Sequence, residues 1–208
     1  MDDGRAAARP DDGLGAEAET EVEAGRKSLW VVREIGLPAI VKPCASCRST
    51  RHHPTGKFRV NANGKLLDVW LLVCCELCGG TSKITVHERI HVRALEHSRL
   101  LMYQDNDPAA VRELAMSAST AGRAKYRLDW TGTWRLETDI PFSALEELVP
   151  ISVLIRFELP APIRVEKLLM LGFGLSRARL RSMVDEERIR LPTALGVKVC
   201  DDFTLTAG

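Results

Sequence analysis

Two short stretches, Cys44-Ala45-Ser46-Cys47 and Cys75-Glu76-Leu77-Cys78, decide the fold of the first half of this 208-residue chain. Each stretch is a C-x-x-C pair, and 27 residues separate the two pairs. Four thiolates in this arrangement are the ligand set of a tetrahedral zinc site. The spacing therefore predicts one structural Zn²⁺ ion held by Cys44, Cys47, Cys75 and Cys78.

The segment between the pairs has the pattern of a β-hairpin. The stretches 57–61 and 66–73 flank Asn63-Gly64, a dipeptide that tolerates the positive φ angles of a tight turn. Because a hairpin returns the chain to its starting edge, it would bring the second pair beside the first. Gly79-Gly80 allows the backbone to curl around the sulfur of Cys78. The predicted architecture is a zinc ribbon.

Other roles for the cysteines stay open at this point. A redox pair and simple buried cysteines are the alternatives for the four paired thiols. Cys74 and Cys200 stand outside the pairs, and we expect them to be structural because single cysteines are among the most buried residues. His52 and His53 are expected on an exposed loop.

Composition and charge indicate a soluble protein of the cytoplasm with no membrane span. The chain is 45% hydrophobic and 27% charged, its formal net charge is +1, and its longest apolar runs are too short to cross a bilayer. Residues 1–27 hold eight acids and four bases and no aromatic residue. Such a stretch cannot bury enough apolar surface to offset its ordering entropy. We predict a disordered acidic leader over 1–26.

The remaining patterns predict an α+β fold. Strands are expected at 29–32, 39–41, 83–93 and 151–157. A helix is expected over 108–120 with Asp107 as its N-cap, followed by a hairpin over 125–140 and a capping box at Ser143 to Glu146. This divides the chain into three parts after the leader: a β-rich zinc-ribbon domain over 27–104, a helical and hairpin connector over 105–150, and a small C-terminal module over 151–208.

Positive charge is concentrated in two regions. Residues 42–93 hold nine bases and three acids, and Lys57, Arg59 and Lys65 would project from the predicted hairpin. Residues 164–190 hold seven bases and four acids on two expected short helices, the second capped by Ser176. Guanidinium forks suit phosphate oxygens. The candidates for binding a nucleic-acid backbone in this second region are Arg164, Lys167, Arg177, Arg179, Arg181, Arg188 and Arg190.

Three stretches of this C-terminal module, Arg164 to Leu169, Gly174 to Arg179 and Arg188 to Leu191, carry a resemblance. They resemble the alpha-L RNA-binding domain of a small-subunit ribosomal protein, pseudouridine synthases and tyrosyl-tRNA synthetases. The pattern differs where Glu187 replaces a glycine. The resemblance implies that the module binds structured RNA.

A second resemblance is carried by the runs Lys57 to Asn63 and Leu67 to Leu71, the cysteine pairs, and Asn106-Asp107. From Trp30 onward the chain is similar to a bacterial family of proteins of unknown function, number one thousand and sixty-two in its series. The resemblance implies shared structure without a chemistry. The position of Cys74 holds another residue in that family, which agrees with Cys75 and Cys78 as the ligands.

One enzyme motif must be weighed, because His87-Glu88-Arg89-Ile90-His91 spells HExxH. On a helix, the two histidines would bind catalytic zinc and the glutamate would activate water. The alternation of apolar residues from Ile84 to Val92 predicts a strand instead, which would separate the imidazoles by roughly 13 Å. We therefore expect a metallopeptidase to be the remote alternative.

The sequence as a whole predicts a zinc-stabilised RNA-binding protein without enzymatic activity. It would contact structured RNA or the translation machinery through backbone electrostatics, without a small-molecule substrate. The alternative is a zinc-ribbon module that binds a protein partner and has no affinity for RNA.

Overall fold

The computed structural model describes residues 26–139 and 150–208 and shows a strand-rich α+β fold. The predicted leader lies outside the described residues except for Arg26, which begins the first strand. The predicted capping box at Ser143 to Glu146 also lies outside them. Among the helices that the structure describes, none is long and apolar enough to cross a membrane.

The described ranges contain twelve strands and five α-helices. The strands are β1 (Arg26–Glu34), β2 (Ala39–Val41), β3 (Arg51–Asn63), β4 (Leu66–Cys75), β5 (Thr81–His91), β6 (Arg127–Asp129), β7 (Trp134–Thr138), β8 (Ile151–Phe157), β9 (Ile163–Arg164), β10 (Ile189–Arg190), β11 (Lys198–Val199) and β12 (Phe203–Ala207). The helices are α1 (His97–Gln104), α2 (Pro108–Met116), α3 (Ala118–Arg123), α4 (Val165–Phe173) and α5 (Arg177–Asp185).

The first sheet has the strand order β10-β12-β8-β1-β7. β1 is an inner strand, parallel to β8 and antiparallel to β7. Side chains of β1 alternate between the two faces of the sheet, and Trp30 is completely buried. The ring centroids of Trp30 and of Phe173 on α4 are 4.7 Å apart. A Cβ atom at Gly172 would lie 2.1 Å from a carbon of the Trp30 ring, so this helix can approach the sheet only with glycine there.

The second sheet is antiparallel, with the order β5-β4-β3-β2-β6. Alternate residues of β4 from Leu67 to Cys75 are buried, and the core on this face includes Tyr103 of α1 and Leu114 of α2. The predicted hairpin is confirmed as β3 and β4. Its two-residue turn is Gly64-Lys65, one position later than expected, and Gly64 takes the positive φ of 61°.

Several local predictions are confirmed. β2 and β8 have the predicted bounds, and β1 extends beyond 29–32 in both directions. The Asp107 side chain accepts hydrogen bonds from the amides of the first turn of α2, and the Ser176 hydroxyl accepts one from the Arg179 amide at 3.2 Å. Glu187, at the position where the resembling domain has glycine, adopts a φ of 57°.

The predicted hairpin over 125–140 is wrong. β6 pairs with β2 in the second sheet, whereas β7 pairs with β1 in the first. The four residues between them, 130–133, therefore carry the chain from one sheet to the other. The alternation within each strand is local, but the choice of partner is not, and this explains the error.

The single helix predicted over 108–120 is two helices. Ser117 ends α2 with extended backbone and then caps α3, where its hydroxyl accepts a hydrogen bond from the Thr120 amide at 3.1 Å. A serine at this position offers the backbone a competing hydrogen bond, which breaks the helix.

The strand predicted over 83–93 is present as β5, but its strict alternation is wrong. Two register shifts occur opposite Val69, and Arg89 has a φ of 48°. The bulges place His87 opposite buried Val69, on the side of the core instead of the solvent.

The expected exposed loop at His52 and His53 is also wrong. Both residues belong to β3, and His52 is completely buried opposite Cys75, with no hydrogen-bond partner for either ring nitrogen among the described residues. His53, the next residue, points to the exposed side.

The sheets also group the chain differently from the three predicted segments. β1, from 27–104, and β7, from 105–150, both belong to the sheet whose other strands come from 151–208. Parallel pairing between strands more than 100 residues apart leaves no local mark in the sequence.

Candidate functional site

The two cysteine pairs meet at one end of the second sheet. Cys44 and Cys47 lie in the loop between β2 and β3, Cys75 is the last residue of β4, and Cys78 lies in the turn before β5. The sulfur atoms of Cys44 and Cys78 are 3.7 Å apart, and those of Cys47 and Cys75 are 3.6 Å apart. All four sulfur atoms lie within 4.8 Å of one another. The predicted ligands are therefore brought together by the hairpin.

This cluster fits a metal ion. Zinc–sulfur bonds of about 2.3 Å in a tetrahedron place the sulfur atoms about 3.8 Å apart. The separations of 3.6 and 3.7 Å match this value and are far longer than a disulfide bond of about 2.0 Å. The four cysteines are all free thiols. They could hold one metal ion.

Backbone amides around the cluster favour the thiolate form of some of these cysteines. The amide of Ser46, 3.4 Å from the sulfur of Cys44, is the largest influence that lowers the pKa of Cys44. The amide of Cys78 has the same role for Cys75, whose pKa is lowered to about 6. At Cys47 the amide of Ser49 lowers the pKa, but burial and the neighbouring thiols together outweigh it and raise the pKa to about 12. Four adjacent thiols cannot all ionise without a cation between them.

Each cysteine pair forms a tight turn, which we call a knuckle: the first contains Cys44 and Cys47, and the second runs from Cys75 to Gly80. The backbone of the second knuckle is fitted to its sulfur atoms. Gly79 adopts a φ of 70°, and a Cβ atom at Gly80 would lie 3.2 Å from the sulfur of Cys78. The amide of Cys75 donates to the carbonyl of Gly80 at 2.9 Å, which closes the turn. The predicted role of the glycine pair is confirmed.

Arg51 anchors the cluster to the rest of the second sheet. Its guanidinium contacts the carboxylate of Glu76, inside the second knuckle, at 2.9 Å, and it also forms an ion pair with Asp129 at the end of β6. Both carboxylates raise the pKa of Arg51. Because Arg51 contacts both carboxylates, it connects the second knuckle to β6, the strand from which the chain passes into the first sheet.

The two remaining cysteines are separate from the cluster. Cys74 faces the opposite side of β4 from Cys75, and its thiol lies 3.3 Å from the carbonyl of Gly79. Cys200 lies near the C-terminus, where burial raises the pKa of its thiol. Both are half-buried, less than we expected of structural cysteines.

The HExxH string lies on β5, as predicted, and not on a helix. A strand separates residues four apart by roughly 13 Å, which is too far for two imidazoles to share an ion. His87 is held by the Tyr103 hydroxyl, 3.3 Å from its Nε2 atom. Burial is the largest influence that lowers the pKa of His87, and the positive charges of Arg123 and Arg99 lower it further.

The ten basic residues predicted to bind nucleic acid are all exposed, but they do not form one cluster. Lys57 and Arg59 lie on β3 and Lys65 lies in the hairpin turn of the second sheet. The others belong to the C-terminal module: Arg164, Lys167, Arg177, Arg179, Arg181, Arg188 and Arg190.

Three of these arginines are already paired within the protein. Glu166, whose side chain is only 9% exposed, lies 3.1 Å from the guanidinium of Arg177 and 3.2 Å from that of Arg181. Arg190 lies 3.7 Å from Glu187. Glu166 thus neutralises part of the charge that Arg177 and Arg181 would offer to a nucleic acid.

A cleft between the two sheets was not predicted. Its volume is about 1090 Å³, and it is lined by the crossover from β6 to β7, by β9 and β11, and by the start of α4. Arg164 and Lys167, which were predicted to bind nucleic acid, line this cleft. Trp130, Trp134 and Lys198 also line it, although none of the three was a predicted site residue. The run Trp130-Thr131-Gly132-Thr133-Trp134 was the only local signal, and nothing in it points to β9 or β11.

Comparison with known proteins gives a family and no further relative. No curated protein and no solved structure matches the chain. A family described as "Protein of unknown function (DUF1062)" matches residues 60–195, which include the second cysteine pair and most of the cleft. Since the match covers more than half of the sequence, the chain belongs to this DUF1062 family.

Proposed function

We propose that this protein is a non-enzymatic RNA-binding protein whose zinc ribbon is stabilised by one Zn²⁺ ion. It contacts structured RNA or the translation machinery through phosphate groups, and its C-terminal module acts as an alpha-L-like RNA-binding unit. Four reduced thiols suit the cytoplasm, where disulfides are rare.

The zinc part of the proposal is supported by the geometry of Cys44, Cys47, Cys75 and Cys78. Tetrahedral sites of four sulfur ligands select zinc or iron. Zinc in such a site cross-links the two knuckles and supplies no open position for chemistry. Metal analysis of the purified protein distinguishes the two metals, and we expect one zinc ion per chain.

The observation that carries the RNA-binding proposal is the exposure of all ten predicted bases, most of which lack an internal counter-charge. Among the described residues, seven of them form no ion pair with a carboxylate: Lys57, Arg59, Lys65, Arg164, Lys167, Arg179 and Arg188. Unpaired exposed cations release counterions from a nucleic-acid backbone at no cost in broken ion pairs.

A salt titration of RNA binding tests the proposal. The affinity for a labelled RNA hairpin is measured from low to moderate salt for the wild type and for the double variant Arg179→Gln/Arg188→Gln. Each lost phosphate contact reduces the slope of log K against log salt by about 0.9. The double variant is therefore expected to flatten the slope by about 1.8.

The matched control is Lys27→Gln/Arg93→Gln, which removes two exposed bases that are not among the ten candidate residues and form no ion pair among the described residues. This control is expected to leave the slope nearly unchanged. Arg177 and Arg181 are unsuitable for the test because their removal would leave the buried carboxylate of Glu166 unpaired. Binding that is absent, or insensitive to salt, contradicts the proposal.

A protein partner is the second candidate, favoured by one observation. Leu77 stands at the tip of the second knuckle with 72% of its surface exposed, and an apolar residue on a rigid turn suits a protein contact. The same salt titration separates the two functions, since a protein partner predicts no salt-sensitive RNA retention.

A further inference from the structure

The cleft between the sheets is rich in cations. Six basic residues line it: Arg51, Arg127, Arg135, Arg164, Lys167 and Lys198. The lining contains one acidic residue, Asp129. At about 1090 Å³, the cleft is slightly larger than the usual sites for small organic ligands, which have volumes of about 300–1,000 Å³.

Most of these cations have no internal partner. Arg51 pairs with Asp129 and Glu76, and Arg135 pairs with Glu137. Within the described residues, the other four form no ion pair with a carboxylate: Arg127, Arg164, Lys167 and Lys198. The cleft therefore keeps a positive charge that the fold itself does not neutralise.

Two of the cations are placed directly opposite each other. Arg164 on β9 pairs in register with Lys198 on β11, and both side chains are exposed. Like charges at opposed positions of antiparallel strands destabilise the pairing. An anion bound between them would remove this repulsion, so the register points to an anionic ligand.

The cleft also contains aromatic surface. Trp130 and Trp134 are half-buried against the core of the first sheet and line the cleft with their remaining surface. The ammonium of Lys167 lies 4.8 Å from the ring centroid of Trp134. Aromatic rings beside cations form the platform on which single-stranded nucleic acids stack their bases.

We propose that this cleft binds an unpaired segment of RNA, with a base stacked on Trp130 and phosphates held by Arg164 and Lys198. The inference rests on the proposed RNA-binding function and names the form of RNA that this site takes. Bases in a duplex are stacked on each other and are not free to stack on a tryptophan that lines a cleft, whereas unpaired bases are.

The test compares fluorescein-labelled oligouridylate of ten nucleotides with an RNA duplex of the same length, by fluorescence anisotropy over one shared series of salt concentrations. The cleft variants are Arg164→Gln/Lys198→Gln and Trp130→Leu. Removal of the stacking ring is expected to weaken oligouridylate binding by about 5- to 150-fold. The double variant is expected to reduce the salt slope for the single strand by about 1.4.

Lys27→Gln/Arg93→Gln again serves as the control of equal charge. The double cleft variant changes only exposed side chains, so it tests the site even if Trp130→Leu fails to fold. If the control weakens oligouridylate as much as the cleft variant does, charge alone accounts for binding and the inference is overturned.

The outcomes separate this inference from the proposed function. Wild-type protein that binds neither RNA overturns both. Protein that binds the duplex and the single strand, with neither affinity changed by the cleft variants, overturns the cleft assignment alone. Loss of single-strand binding in the cleft variants, with duplex binding retained, supports the assignment.

Discussion

Substitution of Cys47 by serine is expected to remove the metal ion and loosen both knuckles without unfolding the two sheets. Cys47 lies 3.6 Å from Cys75, so an ion held by both links the loop before β3 to the end of β4. A serine hydroxyl is not a soft ligand and leaves three thiolates, which lowers the affinity for zinc. The core of the second sheet does not include the cluster, since it is built from residues such as Ile40, Leu71 and Tyr103.

The size of the effect follows from the loop that the ion closes. Twenty-seven residues lie between Cys47 and Cys75. Treated as a cross-link in the unfolded chain, a bridge across such a loop is worth about 3.5 kcal/mol of chain entropy. For a protein of this size each kcal/mol moves the melting temperature by about 2–4 °C, so the expected decrease is about 7–14 °C.

Metal content and thermal unfolding are measured together on the wild type, Cys47→Ser and Cys74→Ser. Cys74 is the matched control because it adjoins the cluster but faces the other side of β4. The control is expected to keep one zinc ion and its melting temperature. The four-cysteine site would be refuted by wild-type protein that contains no metal and has the same melting temperature as Cys47→Ser. Equal decreases of the melting temperature in Cys47→Ser and Cys74→Ser would also refute it.

Two further predictions concern the fold around the sites. Gly172→Ala is expected to destabilise the protein by about 1–3 kcal/mol because a methyl group there overlaps the ring of Trp30. Its control, Gly122→Ala, changes an open helical position and is expected to be neutral or to stabilise the protein by up to about 1 kcal/mol. Urea unfolding of both variants measures the contrast, and equal effects would contradict the prediction. His87 has a lowered pKa in the folded protein, so its neutral form contributes stability above the unfolded pKa of about 6.5, and this contribution is lost as the pH falls through the folded pKa. His87→Gln is therefore expected to lose less stability than the wild type between about pH 7 and pH 5, while the exposed control His97→Gln follows the wild type in the same denaturant series.

Features set by neighbouring residues were predictable from the sequence. The hairpin of β3 and β4, the cap at Asp107 and the cap at Ser176 each depend on a few adjacent positions. The meeting of the cysteine pairs followed from that hairpin, since a local turn was enough to bring Cys47 and Cys75 together. The candidate metal site was therefore the best-predicted part of the molecule.

Features set by distant pairing were not predictable in this way. β6 and β7 each alternate as strands should, but their partners, β2 and β1, lie about a hundred residues earlier in different sheets. The cleft depends on β9 and β11 lying near the crossover from β6 to β7. A pattern of apolar residues indicates that a strand is half-buried, but it does not specify which strand lies beside it.

The inner position of β1 has a consequence for the order in which the newly made chain can mature. Its neighbours, Trp134–Thr138 and Ile151–Phe157, leave the ribosome only after most of the protein has been synthesised. The cysteine-bearing hairpin needs only residues up to His91 and can close much earlier. Arg26–Glu34 therefore has neither of its two neighbouring strands until those residues have been synthesised, long after the cysteine-bearing hairpin is complete.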